Sequence, residues 1–123
     1  MANEIKVSVR VTLANGNLKA SFDPGIKQIT QTGQGMHAPV VSVGTSEEDF
    51  SPGDITGANL GVICLLNLDT TNYVTWGAKD TTMKAIGRLK PGEPAFFRLE
   101  PSVTLRWIAD TAACLVQVTL MQN

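Results

Sequence analysis

Apolar and polar residues alternate without interruption over the ten residues from Glu4 to Leu13. A period of two places successive side chains on opposite sides of an extended chain, whereas a helix would scatter the same apolar residues around its circumference. The stretch therefore predicts a β-strand with one dry and one wet face, which is typical of antiparallel sheets. The residues expected to face the core are Ile5, Val7, Val9 and Val11, and those expected to face solvent are Lys6 and Arg10.

Turn residues divide the rest of the chain into short segments. Asn15-Gly16 predicts a tight hairpin turn, after which 18–22 can return along 7–13. Asp23-Pro24-Gly25 ends that strand, because proline lacks an amide donor and glycine permits the reversal. Further strands are expected at 26–32, 40–43, 62–66, 73–76, 83–89, 95–99, 104–109 and 114–121.

No segment shows a sustained apolar repeat at helical spacing with capping residues, so we expect little or no helix. Eight to ten short strands at this turn spacing predict an all-β fold, an antiparallel β-sandwich of jelly-roll-like type, with a small closed barrel as second choice. At 123 residues the chain has the length of one domain. We therefore predict that 1–123 forms a single β-sandwich domain.

The stretch from Leu60 to Glu100 organises this predicted sandwich. Its apolar run 62–66 is expected to be a central strand buried on both faces. After the turn residues 69–72, the segment 73–76 is expected to pair back along that strand. The polar residues 44–61 precede it and form the longest expected loop, a surface excursion.

The charge balance gives no reason to expect a nucleic acid or an anionic membrane as partner, because the ten cationic residues are scattered and the formal net charge is −1. The sequence is 43% hydrophobic. Even so, no apolar stretch approaches the roughly 20 residues of a membrane-spanning helix. The N-terminus has no basic start followed by an apolar block, so no secretory signal is expected. These features predict a protein that is made in a cytoplasm and is kept there or released by lysis.

The sequence offers no pattern that predicts catalysis or metal binding. His37 is the only histidine, and the two cysteines lack the paired spacing of a metal site. Cys64 and Cys114 are interpreted as free buried thiols, with a disulfide between them as the alternative. Glu47-Glu48-Asp49 with Asp54 could bind calcium, but the spacing fits no calcium loop and a solvated acidic loop is favoured. We predict that the protein is not an enzyme and uses no cofactor and no metal.

Three aromatic residues could stack on sugar rings, as aromatic side chains on sandwich faces do. Tyr73 and Trp76 are three positions apart on an extended strand, so their side chains point to opposite faces and cannot share one platform. Packing in the core or at an interface is therefore the favoured interpretation. The candidate interface or ligand contacts are Glu47, Glu48, Asp49, Tyr73, Trp76 and Trp107.

Four stretches between about 43 and 120 carry a combination of turn strings. They are Thr45-Ser46-Glu47-Glu48 with Gly53-Asp54-Ile55; Asn67-Leu68-Asp69 with Thr71-Asn72-Tyr73-Val74 and Gly77; Leu89-Lys90-Pro91-Gly92-Glu93 with Phe97-Arg98-Leu99; and Ala109-Asp110-Thr111-Ala112. Together they resemble a family of small virion-associated β proteins of tailed bacteriophages, of the decoration, neck or tail type. The N-terminal hairpin lies outside the resemblance, and Thr70 stands where many relatives carry proline.

The resemblance implies a non-enzymatic structural component of a bacteriophage virion, either a capsid decoration or cement subunit or a subunit associated with the neck or tail. It implies a homo-oligomer that contacts phage capsid or tail proteins and is located in the virion after synthesis in the host cytoplasm. The resemblance supplies no catalytic residues. A carbohydrate- or receptor-binding β-sandwich module, including one on a phage appendage, is the alternative, and a small oligomeric host protein is a third.

Segments that carry little charge also predict assembly. The expected strands 26–32 and 40–43 are candidate sheet edges, and exposed edges in a free monomer are usually protected by charge or proline. The loop 44–61 is long for a domain of this size. We expect copies of the same chain, or a capsid or tail protein, to cover these edges and this loop.

Overall fold

Thirteen strands and one short 3-10 turn form the regular structure of the computed structural model, which describes residues 2–123. Every strand pair in this part of the chain is antiparallel, and the predicted all-β sandwich with little or no helix is confirmed. Within residues 2–123, no helix has the length and apolarity needed to cross a membrane. The strands are β1 (Ile5–Ser8), β2 (Val11–Asn15), β3 (Leu18–Phe22), β4 (Ile26–Ile29), β5 (Met36–His37), β6 (Val40–Val43), β7 (Glu48–Asp49), β8 (Leu60–Asn67), β9 (Val74–Lys79), β10 (Met83–Leu89), β11 (Pro94–Arg98), β12 (Leu105–Ala109) and β13 (Cys114–Gln122), and the 3-10 turn spans Gly57–Asn59.

The chain divides into two compact units after Thr32. The first unit contains β1 to β4, and the second contains β5 to β13. The two packed sheets of the sandwich lie in the second unit. That residues 1–123 form a single domain stays a prediction.

The first unit is a two-stranded ribbon (β1 to β4). β2 pairs with β3 across a two-residue turn, and β1 pairs with β4 farther from that turn. The turn residues are Gly16-Asn17, one position later than the predicted Asn15-Gly16, and Gly16 has a φ of +58° that glycine adopts readily. Three residues, 23–25, lie opposite the two residues 9–10. This mismatch interrupts the strand predicted from Glu4 to Leu13 and splits it into β1 and β2.

The prediction that Ile5, Val7, Val9 and Val11 face the core is wrong. The first three are only partly buried and Val11 is 57% exposed, and none of the four belongs to the core cluster. Alternation specifies that a strand has an apolar face, but it does not specify what packs against that face. In the ribbon each strand pairs with one other strand. Among the described residues of the first unit, no second sheet covers the apolar face of this pair.

The second unit consists of two sheets that face each other. The first sheet has the strand order β10-β9-β12-β7. The second has the order β11-β8-β13, and both β5 and β6 pair with β13. The core lies between the sheets, with Ile63 and Val118 from the second sheet and Val74 and Trp107 from the first. Complete burial of an aliphatic side chain of this size stabilises the fold by about 1.5–3 kcal/mol.

The prediction that 73–76 pairs back along 62–66 is wrong. β9 pairs with β10 and β12, so the connection from β8 to β9 passes from one sheet to the other. The connection from β10 to β11 crosses back in the same way. Turn residues mark where a chain reverses, but inter-sheet connections and hairpins use the same residue types.

The segment 44–61 is more than the surface excursion that its polarity predicts. It contains β7 and the 3-10 turn. Phe50 and Ile55 from this segment are buried and belong to the core cluster. These two side chains, together with Leu60 at the start of β8, attach the polar segment to the sandwich.

Candidate functional site

Asn67 is a buried polar side chain at one end of the sandwich. Its Nδ2 donates hydrogen bonds to the carbonyl oxygens of Asn72 and Leu89, each at 3.0 Å. Its Oδ1 accepts a hydrogen bond from the amide of Asp69 at 3.0 Å. The Asn67 backbone also bonds to Glu93 and Gly92. This residue therefore joins both inter-sheet connections.

The side chains next to Asn67 stabilise the same turns. The Asp69 carboxylate accepts hydrogen bonds from the amides of Asn72 at 2.6 Å and Thr71 at 2.9 Å. These two donors, Asn72 first, lower the pKa of Asp69. The Thr111 hydroxyl donates to Asn72 Oδ1 at 2.6 Å. Three of the four stretches quoted for the phage resemblance thus meet here. Some of their hydrogen bonds lie within one turn, and others join one stretch to another.

Two of the three predicted acidic contacts form ion pairs within the chain. Asp49 accepts hydrogen bonds from Lys79 at 2.9 Å and from Arg106 Nε at 2.8 Å. These two donors, Lys79 first, lower the pKa of Asp49. Glu47 lies 3.8 Å from Arg106 and accepts a hydrogen bond from the amide of Met83 at 2.6 Å. The carboxylates thus connect β7 and the preceding residues to β9, β10 and β12 of the same sheet.

The three predicted aromatic contacts lie in different environments. Trp107 is buried and packs edge-to-face on Phe50, with ring centroids 5.4 Å apart. Trp76 stacks on Phe97, with centroids 4.6 Å apart and an interplanar angle of 8°. The Tyr73 ring lies under the Arg88 guanidinium at 4.0 Å. Trp107 therefore has no surface to offer a ligand. Glu48, the remaining predicted contact, is partly buried and lies opposite Trp107 in the pairing of β7 with β12.

An apolar groove opens between β10 and β11, the edge strands of the two sheets. Its volume is about 450 Å³, which is within the range of small-molecule sites. Trp76 and Phe97 lie in its wall together with Ile86, the extra residue of a β-bulge in β10. Arg98 and Glu100 are the only ionisable groups among its lining residues. The groove suits an apolar or aromatic ligand better than acid–base chemistry.

The two cysteines are free thiols on opposite faces of the second sheet. Cys114 belongs to the core cluster between the sheets, whereas Cys64 alternates with the core residues Ile63 and Leu65 and points outward. Burial raises the pKa of both thiols, and Asp69 and Asp110 raise that of Cys114 further. Among residues 2–123, no group of three or more His, Cys, Asp or Glu side chains could hold a metal ion.

One face of the ribbon is apolar and exposed. Because Val11 pairs with Phe22 and Leu13 with Ala20, these side chains lie on the same side of the two strands. The large side chains on this side are between 49% and 63% exposed. The opposite side carries Thr12, Ala14, Lys19 and Ser21. We call the apolar side the ribbon face; its apolar residues are Val11, Leu13, Leu18, Ala20 and Phe22, and Asn15 lies at its end.

The second sheet also has an apolar outer face. The outward side chains of neighbouring strands lie next to each other. Phe96 of β11 lies beside Cys64 of β8, Leu66 of β8 lies beside Gln117 of β13, and Gln117 pairs with Val40 of β6. The prediction that 62–66 is buried on both faces holds at Val62, whereas Cys64 and Leu66 are only partly buried. We call this surface the outer sheet face; its apolar residues are Val40, Cys64, Leu66, Phe96 and Leu115.

Neither apolar face was among the predicted contacts. The ribbon face can be read from the sequence, because Val11 and Leu13 alternate before the turn and Leu18, Ala20 and Phe22 alternate after it. The outer sheet face is harder to read, because a continuous apolar run predicts burial on both sides. No family model, curated protein or solved structure matches this chain.

Proposed function

We propose that this protein is a non-enzymatic structural component of a bacteriophage virion, a capsid decoration or cement subunit or a neck- or tail-associated subunit. It acts through self-assembly and through contacts with capsid or tail proteins. The place in the virion rests on the resemblance of the turn strings. The mode of action rests on the surfaces of the chain.

The ribbon face is the observation that carries the assembly proposal. A two-stranded hairpin is marginally stable in water and needs a further strand or an apolar partner to become rigid. Val11, Leu18 and Phe22 are each more than half exposed. Burying the exposed part of such a side chain contributes about 1 kcal/mol. A partner surface that packs on the ribbon face therefore stabilises the ribbon. The same buried apolar contacts hold the partner on the ribbon.

The ionisable side chains support a structural role. Asp49 of β7 is neutralised by Lys79 and Arg106 within the chain. Asn67 and Asp69 in the resemblance stretches bond to the backbone of their own turn, and Thr111 bonds to Asn72 of another stretch. These groups are therefore engaged in maintaining the fold, which is the task of a repeated structural part.

Light scattering of the purified protein, alone and then mixed with phage particles that lack it, tests the proposal. We expect a defined oligomer whose mass exceeds that of one 13.1 kDa chain, and retention of the protein on the particles. A specific contact of this kind buries on the order of 800 Å² per partner. A stable monomer at high concentration that also fails to bind the particles contradicts the proposal.

A carbohydrate- or receptor-binding module is the second candidate, and the groove favours it. The volume of about 450 Å³ and the Trp76–Phe97 stack fit an apolar or sugar ring. The test is a glycan array read with the wild-type protein and with Ile86→Asp, which places a charge at the groove. Glycan binding that is lost in Ile86→Asp and kept in the ribbon variant Thr12→Asp supports this second function.

A further inference from the structure

We propose that the ribbon face of one copy docks on the outer sheet face of a second copy. The inference rests on the proposed self-assembly and specifies how the assembly forms. Each copy carries both surfaces, so the contact is head-to-tail, and such contacts close into rings or extend as filaments.

The shapes of the two surfaces match. Both are faces of antiparallel sheets, and sheets pack on one another face to face with interdigitated side chains. The ribbon face is two strands wide and five residues long, which corresponds to about 17 Å. The outer sheet face crosses β11, β8, β13 and β6 and is about 15 Å wide. The ribbon therefore fits within the outer sheet face.

The outer sheet face carries exposed apolar side chains next to the polar residues Ser42, Gln117 and Thr119, whereas the outer face of an antiparallel sandwich is usually polar. Val40 and Leu115 are each more than half exposed, and Phe96 is 41% exposed. Arg98 is the only charged side chain among the outward residues of β6, β8, β11 and β13. It donates a hydrogen bond to Asn123 Oδ1 at 3.2 Å. Docking of an apolar partner therefore removes no charged side chain other than Arg98 from contact with water.

Net charge favours pairing of a ribbon with the second unit of another copy over pairing of two ribbons. The residues up to Thr32 carry four cations and two carboxylates, a net charge of +2, and the residues from Gly33 carry six cations and nine carboxylates, a net charge of −3. Two ribbons thus repel each other, whereas a ribbon and the second unit of another copy attract. The groove is lined by one cation, Arg98, and one carboxylate, Glu100, so charge does not separate it from the outer sheet face, and the Ile86→Asp control serves that purpose.

Mixing two defective variants tests the pairing of these surfaces. Phe22→Asp puts a carboxylate on the ribbon face, and Leu115→Asp puts one on the outer sheet face, at an exposed position in each case. We expect each variant alone to lose association by at least tenfold in the dissociation constant. A one-to-one mixture regains a two-copy complex, because the ribbon face of Leu115→Asp docks on the intact outer sheet face of Phe22→Asp.

Matched controls separate the alternatives. Thr12→Asp adds the same charge to the polar side of the ribbon, and Ile86→Asp adds it to an exposed aliphatic position at the groove. Both controls are expected to associate like the wild type. Loss of association in Ile86→Asp, or full association of Leu115→Asp, overturns the proposed pairing. So does a mixture that stays monomeric. If the wild-type chain is itself monomeric and fails to bind particles, the proposed function fails as well.

Discussion

Asn67 shows how much of this fold depends on one buried amide. Its side chain makes three hydrogen bonds, one of them to the carbonyl oxygen of Asn72 in the connection from β8 to β9 and one to that of Leu89 at the end of β10. We expect Asn67→Ala to lower the free energy of unfolding by about 2–3 kcal/mol, because a buried carbonyl loses its donor. Urea denaturation measures the change. The control is Asn59→Ala, which removes a single exposed hydrogen bond to Thr56 and is expected to cost less than about 0.5 kcal/mol. Equal losses in the two variants contradict this role.

The Asp69 carboxylate gives the fold a dependence on acid pH. Hydrogen bonds from Asn72 and Thr71 lower its pKa in the folded state, so the stabilisation is complete above the ordinary aspartate pKa. It is lost as the pH falls from about 4 through the lowered value. We expect the stability difference between wild type and Asp69→Asn to shrink over that range. Unfolding curves at pH 6 and pH 3 measure it, and a difference that grows on acidification contradicts the assignment.

At the scale of elements, Gly87 is the position where β10 approaches the aromatic stack. A Cβ added there overlaps the indole ring of Trp76, which stacks on Phe97. We expect Gly87→Ala to lower the free energy of unfolding by about 1–3 kcal/mol and to reduce the near-ultraviolet dichroism of the stack. At Gly57 the nearest atom to an added Cβ is 3.7 Å away, so Gly57→Ala is the control. An unchanged aromatic signal in Gly87→Ala is the contrary result.

The strands were largely predictable from the sequence, but their partners were not. The turn residues around them located 18–22 and 83–89 at the observed bounds, because turn chemistry is a local property of the chain. The two-residue strands β5 and β7 are too short to show a period. Sheet membership depends on contacts distant in sequence, so the inter-sheet path from β8 to β9 could not be predicted from turn residues.

The predicted site residues show the same division between local and distant information. The acidic loop and the aromatic residues could be named from sequence, yet the sequence could not reveal that Lys79 and Arg106 neutralise Asp49 or that Trp107 is buried. Those facts depend on which strands become neighbours. Val9 illustrates the opposite case, in which a perfect alternation pointed to a core that the ribbon does not have.

At the scale of the whole molecule, the proposed assembly assigns stability to the second unit and association to the first. The second unit contains the core cluster and the buried Asn67. The first contains the ribbon face, and none of its residues from Ala2 to Thr32 belongs to that cluster. We therefore expect charge substitutions on the ribbon face to change association. The free energy of unfolding of the second unit, obtained from its urea midpoint, should stay within about 0.5 kcal/mol of wild type. Tryptophan fluorescence reports that midpoint, because both tryptophans lie in the second unit. A large shift of the midpoint in Phe22→Asp argues against this division.

The most direct measurement is the alkylation rate of Cys64 as a function of protein concentration. Cys64 points outward between Phe96 and Thr119 on the outer sheet face, whereas the core thiol of Cys114 serves as a protected internal reference. Docking of a second copy's ribbon covers Cys64. The account predicts that its alkylation slows several-fold as the wild-type concentration rises through the association range, and stays at the dilute rate at every concentration in Phe22→Asp. A Cys64 rate that does not change with concentration, in a wild-type protein that light scattering shows to be oligomeric, contradicts the account.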